Sequence, residues 1–401
     1  MLMAKAGLEM EEVKQIETEK IWTKDFILIF SAKFFIFLGF QMTLPTIPLF
    51  VEHLGGNDRL IGLTVGIFTV SALLVRPFAG RALETIGRKA VYLTGLFLFA
   101  LTVGSYSFIT GIFLLLLFRI FQGAGWGMST TASGTIATDL IPAKRRGEGL
   151  GYYGLAGNLA MAFGPSLGLI LVPLVTFRWL FIICAFLGFI ALVLSMFIQY
   201  KKVDRNSDPS PKKLDIFEKS AIQPSLLMFF ITVTFGGIAT FLPLYTLEKG
   251  VDGIQLYFLI YAVALMITRA FAGKLYDRKG HKAVFLPGAA LIFTAMLLLA
   301  WIPNHCVLFT AAFLNGFGFG LIQPGLQSWA IVRSPVNRRG MVNATFFSFF
   351  DLGIGLGAIA FGQIGHWLGY GSIYIASALS VLVSINLYIY FLLKEKKMPA
   401  A

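Results

Sequence analysis

One carboxylate stands deep inside an apolar run, Asp351 in the segment FFSFFDLGIGLG. A carboxylate screened from water can take up and release a proton, and switching its charge off shifts the balance between two conformations of the chain around it. Asp351 is therefore the candidate proton site, with a structural hydrogen bond to a neighbouring helix as the alternative. Arg119, in FLLLLFRIFQG, is a second charge set among apolar residues. At the centre of a membrane span such a charge costs at least ~2.5 kcal/mol and ordinarily faces a cavity or a partner. Lys33 lies close enough to the start of its apolar run to snorkel to the surface, so anchoring and function are both open for it.

A second group of charges lies between apolar runs. Arg76 to Lys89 reads RPFAGRALETIGRK, and its pattern returns 193 residues later as RAFAGKLYDRKGHK, Arg269 to Lys282. The same offset relates Gln122–Gly127 to Asn315–Gly320 and Arg145–Gly147 to Arg338–Gly340. A copy at half the chain length indicates duplication. Within each copy Gly80 and Gly273 allow close approach of helices, Gly87 and Gly280 allow a tight turn, and Glu84 and Asp277 can pair with a cation on a neighbouring helix end. At that offset Asp351 corresponds to Asn158, and Arg76 to Arg269. Snorkelling or support of the charged loops is the reading for those two arginines.

The elements that carry these groups follow from composition. Of 401 residues 57% are hydrophobic and 40 are Phe, and the mean hydropathy is +0.78. Those values exclude an ordinary soluble domain. Apolar runs of roughly 20 residues, long enough to cross a hydrocarbon core of about 30 Å, recur throughout and lack the alternation of barrel strands. The expected fold is an all-α membrane protein of twelve transmembrane helices in two pseudo-symmetric six-helix bundles. The spans are expected near 26–52, 60–82, 89–108, 110–138, 148–174, 177–199, 221–247, 254–275, 283–302, 305–332, 340–368 and 371–393. The division is a tail at 1–25, a first bundle at 26–200, a polar linker at 201–220, a second bundle at 221–394 and a tail at 395–401.

The formal net charge of +13 falls mostly in the loops on one side, which puts both termini in the cytoplasm of a bacterial plasma membrane and makes the charge a matter of topology rather than nucleic-acid binding. Scattered histidines and two isolated cysteines offer no metal cluster, and no glycine-rich stretch ends as a P-loop does. Neither enzymatic chemistry nor a cofactor is expected. Energy must come from an ion gradient, and the partners expected are a small-molecule substrate, protons and the lipid bilayer, with the chain acting as a monomer.

A pocket between the halves should draw on spans one, four, seven and ten. Phe37, Gln41, Gln122, Trp126, Phe230, Thr234, Asn315, Phe319, Gln323 and Gln327 offer aromatic surface with amides, a lining suited to amphipathic organic solutes. Lipid exposure would leave those amides without partners. Gly157, Gly164 and Gly168 in span five, and Gly353, Gly355 and Gly357 in span eleven, have spacings that allow backbone-to-backbone packing, with Pro165 as a local break.

Together these segments resemble the major facilitator superfamily, and within it the twelve-helix drug:proton antiporter branch. Gly80, Glu84, Gly87, Arg88 and Lys89 match the signature loop between helices two and three. Leu44-Pro45-Thr46-Ile47-Pro48 resembles the branch's first-helix motif and Arg119–Gly123 its fourth-helix motif. Gly164-Pro165-Ser166-Leu167-Gly168 resembles the fifth-helix antiporter motif, with Leu169 where a second glycine is typical and Ala160 where an earlier one often stands. The resemblance implies that Glu84 and Asp277, assisted by Arg88 and Lys89, hold the cytoplasmic side closed in the outward-facing state, and that Arg119 acts near the proton pathway. It implies a proton-coupled exporter of amphipathic or drug-like molecules by alternating access. The alternatives are export or symport of one metabolite or metal-chelating molecule and, in another class, a membrane sensor or lipid-handling protein.

Overall fold

The computed structural model describes residues 20–142, 145–200, 218–334 and 339–397. The expected linker at 201–220 and both expected tails fall mainly outside these residues. Among the described residues there is no strand. The first helices are α1 (Lys24–His53), α2 (Asp58–Thr85), α3 (Arg88–Ser105), α4 (Ile112–Leu140), α5 (Arg146–Leu171) and α6 (Phe177–Met196). They are followed by α7 (Ile222–Lys249), the segment Ile254–Ala300, α10 (His305–Val332), α11 (Arg339–Leu368) and α12 (Tyr370–Lys397). Gly280, at φ 72° and ψ −177°, breaks Ile254–Ala300 into two arms, α8 before it and α9 after it. Twelve helical arms result, close to the twelve expected spans.

Local chemistry sets several starts. Thr23 accepts from the Phe26 N–H at 3.2 Å, Asn57 from Leu60 at 3.1 Å and Asn304 from Val307 at 3.1 Å, each satisfying a donor that has no partner inside its helix. The turns into α3 and α9 rest on glycine. Gly87, at φ 115°, and its counterpart Gly280 adopt backbone that side chains with a Cβ disfavour.

Within each half the helices meet backbone to backbone, and the second half repeats the contacts of the first. A Cβ on Gly123 of α4 would overlap the carbonyl oxygen of Phe68 on α2. At the counterpart, Gly316 of α10, it would overlap that of Tyr261 on α8. Gly125 meets Gly95 and Phe99 of α3, and Gly318 meets Gly288 and Ile292 of α9. Phe68, Gly95 and Phe99 have Tyr261, Gly288 and Ile292 as their partners at offset 193, so the repeat extends from sequence to tertiary contact. In lipid no hydrophobic force drives helix association, and close approach through small residues supplies the dispersion contact instead.

The halves meet mainly along two seams, α2 against α11 and α5 against α8, with a smaller contact of α1 on α7. On α2, Gly62 faces the Ala358 carbonyl and Gly66 faces Gly355 and Ile359, while Thr69 packs on Gly355. At the end of the bundle where α1 finishes, the Tyr370 hydroxyl donates to Asp58 at 2.7 Å and Arg59 lies 5.4 Å from the Trp367 ring. Ser166 of α5 donates to the Gln255 carbonyl at 3.1 Å. Gly80 continues the α2 stripe of Gly62, Gly66, Thr69 and Arg76, and Gly273 continues the corresponding stripe of α8, yet neither has a neighbour within 4 Å of a built Cβ. The seams are closed at one end and part towards the other.

These contacts give opposite signs to two glycine substitutions in α4. Gly123→Ala is expected to destabilise by about 1–3 kcal/mol through overpacking on α2. Gly134→Ala, which meets open space, is expected to be neutral or to stabilise by up to about 1 kcal/mol through helix propensity. Thermal unfolding of the two purified proteins in detergent checks this.

Candidate functional site

The charged pair that spans the halves lies where the α2–α11 seam begins to part. The Arg76 guanidinium donates to the Asp351 carboxylate at 2.6 Å, with side chains 18% and 29% exposed. The sequence alone points Arg76 to snorkelling or loop support and Asp351 to proton exchange, and the structure joins the two. Finding the pair requires knowing that α2 abuts α11, which no local spacing reveals.

Arg119 is placed differently. It is 2% exposed, its Nε donates to the Thr64 carbonyl at 2.8 Å, and its Nη1 donates to Gln122 Oε1 at 2.6 Å. Its guanidinium lies 4.6 Å from the Phe68 ring centroid. Gln122 Oε1 also accepts from the Tyr106 hydroxyl at 2.6 Å, and its Nε2 is buried without a partner. Arg119 and Gln122 thus form one network inside the first half, linking α2, α4 and the 3₁₀ turn Tyr106–Phe108. Two neutral hydrogen-bond acceptors and a ring face spread the arginine's charge without an acid.

The remaining lining candidates fall into two aromatic clusters. In the first half Trp126 stacks on Phe40 at 4.1 Å and meets Phe37 at 4.6 Å. Gln41 is buried, its Oε1 without a partner, and its Cβ lies against Gly164. In the second half Phe319 is buried among Phe235, Tyr261 and Phe350. Asn315 donates to the Tyr257 hydroxyl at 3.3 Å, Gln327 donates to Asn343 at 3.0 Å, and Gln323 accepts from Arg269. Phe230 is half-buried beside Phe229, and its carbonyl accepts from Ser380 of α12. Thr234 is buried and donates to the Ile231 carbonyl of its own helix.

Lys33 is half-buried, donates to the Tyr153 carbonyl at 3.1 Å and lies 3.6 Å from that tyrosine's ring centroid. This bond to α5 was not among the readings of the sequence. At the start of α3, Arg88 pairs with Asp139 at the end of α4 at 3.0 Å and donates to the Leu83 carbonyl at 3.3 Å, and Lys89 is exposed. The Glu84 and Asp277 side chains lie outside the described residues. Gly164 and Gly168 of α5 press on Gln41 and Met42 of α1 within the same half. Gly355 of α11 instead meets Thr69 across the seam, with Gly353 and Gly357 on α7. Pro45 and Pro48 are buried inside α1 and Pro165 inside α5. Among the described residues no group of His, Cys, Asp and Glu could hold a metal ion.

Apolar arms in two repeating sets, among the described residues eleven helices long and apolar enough to span a bilayer with Ile254–Arg269 as a shorter one, surround a half-buried ion pair at a parting seam. That combination is the mark of a multi-pass membrane transporter. The sequence model of the Major Facilitator Superfamily matches residues 29–304 and 250–401, and the chain belongs to that superfamily. A multidrug resistance efflux pump homologue of Lactococcus lactis is 26% identical over 384 residues, covering 91% of this chain and 94% of its own. The staphylopine export protein of Staphylococcus aureus is 25% identical over 372 residues, covering 88% and 92%. Among solved structures, a bacterial homologue of the human lysosomal transporter Spinster, in an inward-facing and occupied conformation, superposes with a TM-score of 0.75 at 13% identity, covering 94% of this chain and 98% of its own.

Because Arg119 is enclosed, its removal should act first on stability. Arg119→Met is expected to lower stability by about 1–3 kcal/mol, since it takes a donor from Thr64 and Gln122 in a buried setting. Tyr106→Phe should reproduce a smaller part of that loss. Thermal unfolding in detergent checks both, and an undiminished melting temperature in Arg119→Met would contradict the enclosed network.

Proposed function

We propose that the protein is a proton-coupled exporter of amphipathic, drug-like organic molecules, working as a monomer by alternating access in a bacterial plasma membrane. The observation that carries this reading is the Arg76–Asp351 pair between halves. Deprotonated, Asp351 holds Arg76 and ties α2 to α11. Protonated, it loses its charge and the tie weakens, so proton occupancy biases the separation of the halves. The concentration of Lys and Arg in the loops on the side of the chain's start makes that side cytoplasmic. The cleft beyond Gly80 and Gly273 then opens inward, a release route for the proton and an entrance for cargo. The loops turning at Gly87 and Gly280 would meet across that side when it closes, with Glu84 and Asp277 as their acids.

The efflux relatives support a broad organic cargo, and the aromatic clusters around Trp126 and Phe319 suit flat apolar molecules. The staphylopine exporter supports a second reading, export of one metal-chelating metabolite. The test is flux in proteoliposomes under an imposed pH gradient. Several unrelated aromatic drugs should move against their gradients, and a response confined to a single chelator would select the second reading. Asp351→Asn is expected to reduce gradient-driven flux to that of empty vesicles while the protein still folds. Undiminished driven flux in that variant would remove Asp351 from coupling.

A further inference from the structure

Duplication lets each buried charge be compared with its counterpart, and the two seams then differ in one respect. Arg76 on α2 and Arg269 on α8 are counterparts, as are Asp351 on α11 and Asn158 on α5. The seams α2–α11 and α8–α5 are counterparts too. The first carries a closed ion pair. The second carries the arginine, with an amide in the register of the acid.

Arg269 is accordingly left with an unanswered charge. Its Nη2 donates to Gln323 of α10, an amide that accepts the bond without neutralising the guanidinium, and its Nε is buried with no partner among the described residues. Its position points the same way. Gln255, Leu259, Ala262, Arg269 and Gly273 follow helical spacing along one stripe of α8. Gln255 accepts from Ser166 of α5 at the closed end, where Leu259 and Ile170 line one cavity, whereas Gly273 has open space around it. On α5, Gly151 and Gly154, on the stripe of Asn158, are also open. Arg269 therefore stands where the seam gives way to the cleft. An arginine there is costly without a counter-charge, and its planar fork of donors suits a carboxylate above other groups.

We infer that Arg269 is the binding residue for an acidic group of the cargo, which takes between α8 and α5 the place that Asp351 holds between α11 and α2. The cargo is then an amphipathic organic anion or zwitterion whose aromatic part lies against the Phe319 cluster. This inference rests on the transport reading above and sharpens its substrate class. Among the described residues no acid pairs with Arg269, and Asp351, the acid of the counterpart seam, is held by Arg76.

The experiment measures binding of three fluorescent probes to the full-length purified protein: anthracene-9-carboxylate, its neutral carboxamide, and the (anthracen-9-ylmethyl)trimethylammonium cation. The carboxylate is expected to bind about ten- to hundredfold tighter than the carboxamide, the range of a hydrogen bond between charged groups. Arg269→Gln should remove that preference, weakening carboxylate binding far more than carboxamide binding. Asn158→Asp, which supplies the missing acid in the protein itself, should remove it as well, with thermal unfolding confirming an intact fold. A wild-type protein that shows no carboxylate preference, prefers the cation or binds none of the three overturns the inference, as does a preference that survives Arg269→Gln in folded protein. Flux of the same probes separates the two proposals. Gradient-driven export without carboxylate preference sinks the anion site alone, whereas carboxylate binding without gradient-driven flux sinks coupled export alone.

Discussion

The absence of water from the hydrocarbon core is the constraint on which the rest of this structure depends. Every polar group carried into it must be answered from within the protein, and the backbone meets that demand by forming helices. The side chains meet it in three ways. Arg119 is enclosed by neutral acceptors, the Thr64 carbonyl and Gln122. Arg76 is answered by an acid from the other half. Arg269 is answered only in part, by Gln323. These differ in reach, because Arg119 is tied within its own half, Arg76 ties one half to the other, and Arg269 keeps a buried Nε without a partner among the described residues.

The same constraint explains where the molecule is tight. With lipid as apolar as the side chains, helices gain by approaching closely, and glycine lets Gly123 reach Phe68 and Gly316 reach Tyr261. These contacts are repeated inside both halves. Each half is thereby a stiff unit, and the movable surfaces are left to the seams, where Gly62, Gly66 and Gly355 give way to the open surroundings of Gly80. Stiff halves with parting seams are what a rocking motion between two bodies requires.

Duplication supplies a scaffold and divergence supplies direction. The turns at Gly87 and Gly280 and the packing of α4 and α10 have kept their symmetry. The polar interior has not: Asp351 faces Arg76, while the counterpart of Asp351 in the repeat is Asn158. The two seams therefore differ in chemistry, since the acid of one has an amide as its counterpart in the other.

Much of this was legible in the sequence, because helix formation in lipid depends on local properties. Apolar length set the twelve spans to within a few residues, the offset of 193 set their pairing into halves, and the isolated Asp351 and Arg119 announced themselves by their apolar surroundings. Caps and turns such as Asn57 and Gly87 are equally local. What the sequence could not determine was which charge meets which. Arg76 and Asp351 are 275 residues apart, and Gly164 and Gly168 press on α1 rather than on the other half. Those facts depend on which helix faces abut, a choice made by the summed packing of the whole bundle. Tertiary structure alone decided that Arg119 is sealed inside its own half, that Arg76 bridges the two, and that Arg269 stands at the cleft with its charge unanswered.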